Sequence, residues 1–211
     1  GGGEARVALQ LDRGQVRLAG LRQAGSAKVI LPHVAGVPEA VFLNTSGGLT
    51  GGDVLSYRAD IGAGLTAVAT TQTAERAYRS TSGAARVRVD LTVEDGGFLD
   101  WLPQETILFD GASLDRKTTV QLGRDAGCLV LETVVLGRAA MGETVSRVHL
   151  RDWRGIERDG APIWLEPLLL NDRALTTGVA GLAGMRAFAT LCLVQPDAHD
   201  LLERLRTLLD E

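Results

Sequence analysis

The fold class predicted by the sequence is all-β: strands stacked in sheets or wound into a helical β-arrangement, with a short helical part near the C-terminus. Three observations carry that reading. Turn residues recur at short intervals, the residues between them alternate or favour β-branching, and helical spacing of apolar residues is confined to the end of the chain.

The elements follow in order. Val54–Ile61 (VLSYRADI) reads as a strand, Gly62-Ala63-Gly64 as a turn, and Leu65–Thr71 (LTAVATT) as the next strand. Arg86–Glu94 alternates strictly, Asp95-Gly96-Gly97 turns, and Phe98–Leu102 returns, so this segment is expected to be a hairpin. Leu114, Arg116, Thr118, Val120 and Leu122 share one face of a further strand, and Gly123–Gly127 turns into Cys128–Leu136. Asp159-Gly160 predicts another hairpin, between Gly155–Arg158 and Ala161–Glu166. Asn171–Leu175 is a short helix candidate. After Pro196-Asp197, Leu201, Leu202, Leu205, Leu208 and Leu209 recur at helical spacing, with Asp197 as the expected N-cap.

Length and composition fit one domain over residues 1–211, with the glycine leader at 1–5 expected to be flexible. A chain of this size buries on the order of 70% of its unfolded surface, enough for a core without staples. Aromatic residues make up only 4%, which argues against stacking platforms for single-stranded nucleic acid, and the net charge of −4 argues against a phosphate-backbone footprint. Nucleic acid is therefore excluded as an expected partner. Cys128 and Cys192 form no CxxC and no disulfide framework, favouring a reducing compartment. The longest apolar stretch, Gly178 to Val194, carries Arg186 and breaks with glycines, so no membrane span is expected. The chain reads as soluble and cytoplasmic.

The strongest local signal is LNTSGGLTGGD, Leu43–Asp53, with four glycines in six positions. A phosphate loop needs Gly-Lys-Ser/Thr and a following helix; here Asp53 and an alternating strand follow instead. Its local reading is an arch between strands, with a partner-facing or metal-facing loop as the functional alternative. Gly62–Ala67 matches a loose dinucleotide fingerprint, but β-branched residues follow where a helix would begin, so it reads as a turn. Thr70, Thr71, Gln72 and Thr73, with Arg76, Tyr78, Arg79 and Ser80, group hydroxyls and cations that suit either a polar channel or an exposed strand. In WLPQETILFDG, Gln104, Glu105 and Asp110 bracket apolar residues and sit either at a cavity mouth or in solvated turns. Glu132, amid CLVLETVVL, is costly unless paired or in a wet cavity. His33, His149 and His199 are isolated, and no metal or nucleophile motif occurs. Scattered carboxylates (Asp53, Glu105, Asp110, Glu132, Glu143, Glu166) suit at most a weak, transient metal path.

LNTSGGLTGGD (43–53), TTQTAERAYRS (70–80), WLPQETILFDGA (101–112), LETVVLGRAAMGE (131–143) and ERDGAPIWLEPLLL (157–170) occur in the order found in urease accessory protein D, and the chain resembles that family (UreD/UreH) over residues 6–195. The resemblance implies a helical β-fold and a non-enzymatic role in assembling the dinickel centre of urease. It implies urease apoprotein, accessory protein F and, through F, the GTPase accessory protein G as partners. Nickel would pass transiently along a polar route, with no tightly bound cofactor. Asp53, Glu105, Asp110 and Glu132 are the residues it offers as a nickel path, and Thr71, Tyr78, Arg79, Ser80 and Gln104 as channel-lining or partner-facing groups. Family members usually continue past the position of Glu211, so an incomplete C-terminal end is expected. Two competing readings remain at this point: a carboxylate hydrolase using Glu105 and Asp110, and a carbohydrate- or protein-binding domain with a platform of Trp101, Trp153 and Trp164.

Overall fold

The computed structural model describes residues 1–33, 35–178 and 181–209. Its strands are β1 (Gly2–Asp12), β2 (Gln15–Gly25), β3 (Ala27–Ile30), β4 (Glu39–Asn44), β5 (Val54–Ile61), β6 (Thr66–Thr71), β7 (Glu75–Ala77), β8 (Ala85–Val93), β9 (Phe98–Leu102), β10 (Thr106–Leu108), β11 (Ala112–Leu122), β12 (Gly127–Leu136), β13 (Val148–Arg158), β14 (Ala161–Asn171) and β15 (Ala187–Val194). Two short helices, α1 (Asp172–Thr176) and α2 (Leu202–Leu209), lie towards the C-terminus. The predicted all-β class is what the chain adopts.

Two sheets face each other. The first has the order β14-β13-β11-β8-β5-β1-β2; the second runs β3-β4-β6-β9-β12-β10-β7, with β15 paired to β12. The chain passes from one sheet to the other and back, so successive strands of the first sheet (β1, β5, β8, β11, β13) pair in parallel. The strands wind as a flattened helix. Each inner face is a period-2 set of apolar residues: Leu55, Tyr57, Ala59 and Ile61 on β5 meet Leu99 and Trp101 on β9 in one continuous core. Burying these side chains drives the association of the sheets.

The winding corrects one expectation. Arg86–Glu94 and Phe98–Leu102 do not form a hairpin, because β8 pairs with β5 and β11 while β9 pairs with β6 and β12. The Asp95-Gly96-Gly97 turn is an arch between sheets; turn residues specify a reversal of direction but not whether the two arms bond to each other. The Asp159-Gly160 hairpin does form, joining β13 to β14. A second correction concerns the glycine leader: from Gly2 onward it is part of β1, flanked by β2 and β5. A Cβ on Gly3 would stand 2.4 Å from the backbone nitrogen of Ala27, so glycine there permits close packing rather than looseness. The helix expected at 171–175 is α1, whose first turn is capped by Asn171 Oδ1 accepting from Ala174 N at 3.2 Å. Asp197 precedes the C-terminal helical turns but makes no side-chain cap. Among the described residues no helix is long and apolar enough to cross a membrane.

Candidate functional site

Three neighbouring layers of the second sheet are interrupted at the same height. β4 ends at Asn44 and pairing resumes only at Leu49, which bridges to Ala77; β6 breaks before β7 at Gln72–Ala74; β9 breaks before β10 at Pro103–Glu105. Pro103 lacks the N–H that a continuous ladder needs, and the glycine pair Gly47-Gly48 takes φ of 79° and 146°, closed to most side chains. β12, the next layer, is continuous. The stacked breaks lead to a cavity of about 80 Å³ between the sheets, room for a few water molecules.

The cavity wall is mixed. Tyr57, Val89 and Trp101 supply its apolar part, and Asn44, Glu75, Arg116 and Glu132 its polar part. Glu75 is held by Asn44 Nδ2, which donates to both carboxylate oxygens at 3.2 Å. Burial raises the Glu75 carboxyl above its ordinary value, against the opposing hydrogen bonds from Asn44 and the backbone. The Tyr57 phenol is raised as well, first by burial and then by the nearby Glu75 charge.

Glu132 forms the inner wall and belongs to a buried ionic network that joins the two sheets. Its Oε1 accepts from Thr118 Oγ1 at 2.7 Å and Trp101 Nε1 at 3.2 Å. Its Oε2 stands 2.9 Å from Arg116 Nη2, out of line for a hydrogen bond, so it keeps unused acceptor capacity. Arg116 forks onto Asp152 at 3.0 and 2.6 Å and donates to Thr106 Oγ1 at 3.1 Å. Arg154 donates to Asp152 Oδ2 at 2.8 Å and lies 2.8 Å from Glu166. Burial opposes the charge on Arg116, but Glu132 and Asp152 outweigh it and hold the guanidinium firmly protonated. Burial also works against the Asp152 carboxylate; the two arginines prevail and keep it below the usual range. Two arginines face three carboxylates, so the network carries a net charge of 2 − 3 = −1 beside the cavity.

The predicted site residues separate into two groups. Glu132, Thr71 and Gln104 line the cavity, and Thr71 Oγ1 accepts from Gln104 N at 2.9 Å to tie two of the breaks together. Glu105 lies within the Pro103–Glu105 break, half-buried, where its carbonyl accepts from Glu75 N at 3.0 Å. Tyr78 donates its hydroxyl to Gly47 O at 3.2 Å and packs edge-on against Phe109. Asp53, Asp110, Arg79 and Ser80 do not line the cavity but clamp loops. Asp53 Oδ2 accepts from Thr50 N at 2.9 Å. Asp110 Oδ1 accepts from Ser146 N, Ser146 Oγ and Arg147 N at 2.9–3.0 Å, and Oδ2 meets Arg79 at 3.0 Å. The two backbone N–H groups, Ser146 first, draw the Asp110 carboxyl down to about 2. Ser80 Oγ donates to Gly83 O.

Glu75, Arg116, Asp152 and Arg154 were not singled out from the sequence as site residues. A signal was present for three of them. Arg116 sits at an inward position of β11, and Asp152 and Arg154 at inward positions of β13, just as Glu132 does on β12. Glu75 carried none, because its burial follows from the break before it. Among the described residues no three His, Cys, Asp or Glu side chains cluster as metal ligands. Neither carboxylate of the hydrolase reading, Glu105 or Asp110, lines the cavity, and both Asp110 oxygens are held by donors. The tryptophan platform is not formed either: Trp101 is buried, and Trp153 lies under Lys117 Nζ at 4.6 Å.

The sequence model described as UreD urease accessory protein matches residues 2–211. A urease accessory protein UreD of Cereibacter sphaeroides (strain ATCC 17025 / ATH 2.4.3) is 61% identical over 212 residues, covering 99% of this chain and 77% of that protein. Another, from strain ATCC 17029 / ATH 2.4.9, is 64% identical over 174 residues, 82% of this chain and 63% of the relative. The urease accessory protein UreD of Paracoccus denitrificans (strain Pd 1222) is 51% identical over 217 residues, 98% and 78% of the two chains. The chain thus spans between about three fifths and four fifths of these relatives' lengths. With its helically wound β-sandwich and its ordered loop motifs, the chain belongs to the UreD urease accessory protein family.

Proposed function

We propose that the chain is a non-catalytic factor in urease maturation: a β-scaffold that joins urease apoprotein to accessory protein F and, through it, to the GTPase accessory protein G, and that offers nickel a polar route. The whole chain acts as one unit in the cytoplasm, and nickel is cargo rather than a resident cofactor. The observation that carries the route is the cavity at the stacked strand breaks, with Glu75 and Glu132 on its wall. Oxygen donors without a complete ligand set suit a divalent cation that must leave again. Glu132 Oε2 retains a lone pair for such a cation, and the net −1 charge of the network offsets the repulsion from its arginines. Glu105, at the break, is the entry carboxylate in this reading. Asp53 and Asp110 keep the loops in place and act only indirectly.

The test is co-expression of urease with its accessory proteins and either wild-type chain, no chain, or the Glu75→Gln/Glu132→Gln double variant. Nickel content and urea hydrolysis of the purified urease are the readouts. Wild type supports loading, its omission abolishes loading, and the double variant assembles with its partners yet loads poorly. Full loading by the double variant overturns the route; full loading without the chain overturns the maturation role.

A further inference from the structure

Four loops meet at one end of the sandwich, where strands of the first sheet begin. They precede β5, β8, β11 and β13, and backbone hydrogen bonds tie them together: Gly52 N to Ala84 O at 3.2 Å, Ser80 N to Gly111 O at 3.0 Å, and Gly111 N to Arg147 O at 2.7 Å. This ladder sorts its charges. The carboxylates turn inward onto N–H groups: Asp110 onto Ser146 and Arg147, Glu143 onto Asp110 and Arg138, Asp172 onto Val148. The guanidiniums stay outside. The side chains of Arg79 and Arg147 are 60% and 62% exposed. Arg173 is exposed and has no carboxylate partner among the described residues.

Between these arginines runs a groove of about 640 Å³, flanked also by His149 and the hydroxyl-bearing Ser80 and Ser113. Asp110 Oδ2 is 3.0 Å from Arg79 but 3.9 Å from Arg147, so a single oxygen serves two cations and satisfies neither fully. Counting Asp110 and Asp172 against Arg79, Arg147 and Arg173 leaves the groove at 3 − 2 = +1. The whole chain is at −4, so the remainder stands at −5. A cationic groove on an acidic molecule concentrates anions locally while the rest of the surface repels them.

We propose that this groove docks an acidic protein segment, with successive Asp or Glu carboxylates pairing with Arg147, Arg173 and the outer edge of Arg79. A short acidic segment meets only the groove. A longer polyanion such as nucleic acid must also approach the acidic remainder, and the groove has no Phe, Tyr or Trp ring on which successive bases would stack. The surface is distinct from the cavity, whose lining it does not share.

The test is fluorescence anisotropy of a labelled hexaglutamate peptide with the full chain at low salt. With the peptide amidated at its C-terminus, a heptathymidylate is the comparison, because its six phosphodiester charges equal the six glutamate carboxylates. Arg79→Ser/Arg147→Ser/Arg173→Ser removes the groove's charge, and Arg147→Ser/Arg173→Ser does so while leaving the Arg79–Asp110 pair intact. Arg13→Ser/Arg17→Ser/Arg22→Ser on the first hairpin makes the same net change elsewhere. The peptide binds wild type and the hairpin variant alike, binding weakens with salt, and the triple groove variant loses about tenfold. The double groove variant, folded by circular dichroism, loses most of that. Equal loss in the hairpin variant, thymidylate binding as tight as the peptide, or no peptide binding up to about 1 mM each overturns the proposal.

Discussion

Asp152 offers the sharpest test of the buried network. Its side chain is fully buried and accepts three guanidinium hydrogen bonds, from Arg116 Nε and Nη2 and from Arg154 Nη2, at 2.6–3.0 Å. Asp152→Ala leaves two buried arginines facing only Glu132 and the more exposed Glu166. Removing one partner of a buried pair costs about 3–5 kcal/mol, because the remaining charge stays desolvated. With a urea m-value of about 2.5 kcal/mol/M for a chain of this size, the unfolding midpoint falls by roughly 1–2 M. Asp60→Ala is the control: Asp60 meets Arg6 and Arg58 at 2.8–2.9 Å, but both arginines are 47% exposed, and its loss costs under about 1 kcal/mol. Arg116→Met/Asp152→Leu removes opposite charges together and is expected to be more stable than Asp152→Ala by about 1 kcal/mol or more. Equilibrium urea unfolding followed by tryptophan fluorescence reads all three. If Asp152→Ala unfolds within about 0.3 M of wild type, the network is not buried as described.

Other outcomes follow from single positions. Gly51→Ala places a Cβ 2.1 Å from Ser80 Oγ and 2.5 Å from Ser82 O, so it costs about 2–3 kcal/mol; Gly52→Ala meets no atom within 4 Å and costs about 1–2 kcal/mol through its φ of 83° alone. Thermal melts of the two variants rank them, and equal melts refute the contact. Burial pushes the Cys128 thiol up to about 12, whereas Cys192 is half-buried; native maleimide labelling therefore modifies Cys192 first, by mass spectrometry of peptides. Asp110 and Glu75 have opposite pH signatures. The folded value of Asp110 is lowered from 3.8 to about 2, so its contribution is complete above the unfolded value and is lost as pH falls through the folded one; Asp110→Asn flattens the stability profile across that window. The folded value of Glu75 is raised above 4.5, so stability declines as pH rises from there through the folded value; Glu75→Gln stabilises at pH 7 and is nearly neutral at pH 4. A gain of equal size at both pH values refutes the assignment.

The strands were legible because period-2 alternation is local. Leu114, Thr118, Val120 and Leu122 face inward as their spacing requires, and Glu132 is ion-paired in the interior, one of the two environments that tolerate it. Pairing was not legible. An arch and a hairpin use the same Asp-Gly-Gly turn, and the difference lies in strands β5 and β11, which are distant in sequence and flank β8. The same gap separates the two kinds of site residue. Asp53 and Asp110 lie in motifs as prominent as that of Glu132, yet nearby backbone donors occupy them. Glu75 lines the cavity only because strand breaks in its own layer and in the layers beside it fall at one height.

The ionic network also has a consequence for how the chain assembles. Adjacent strands of the first sheet are separated by long loops: Val54 faces Arg86 and Ala85 faces Leu114, 32 and 29 positions apart. Closing each such connection costs about 3 kcal/mol of chain entropy before its contacts form. Neighbouring turns are alike in length and apolar pattern, which invites mispairing. Thr106, Arg116, Glu132, Asp152, Arg154 and Glu166 come from five successive strands, β10 to β14 by way of both sheets. A strand placed one residue or one turn out of step leaves a buried arginine without its carboxylates, so the network penalises miswound pairings as well as holding the native one.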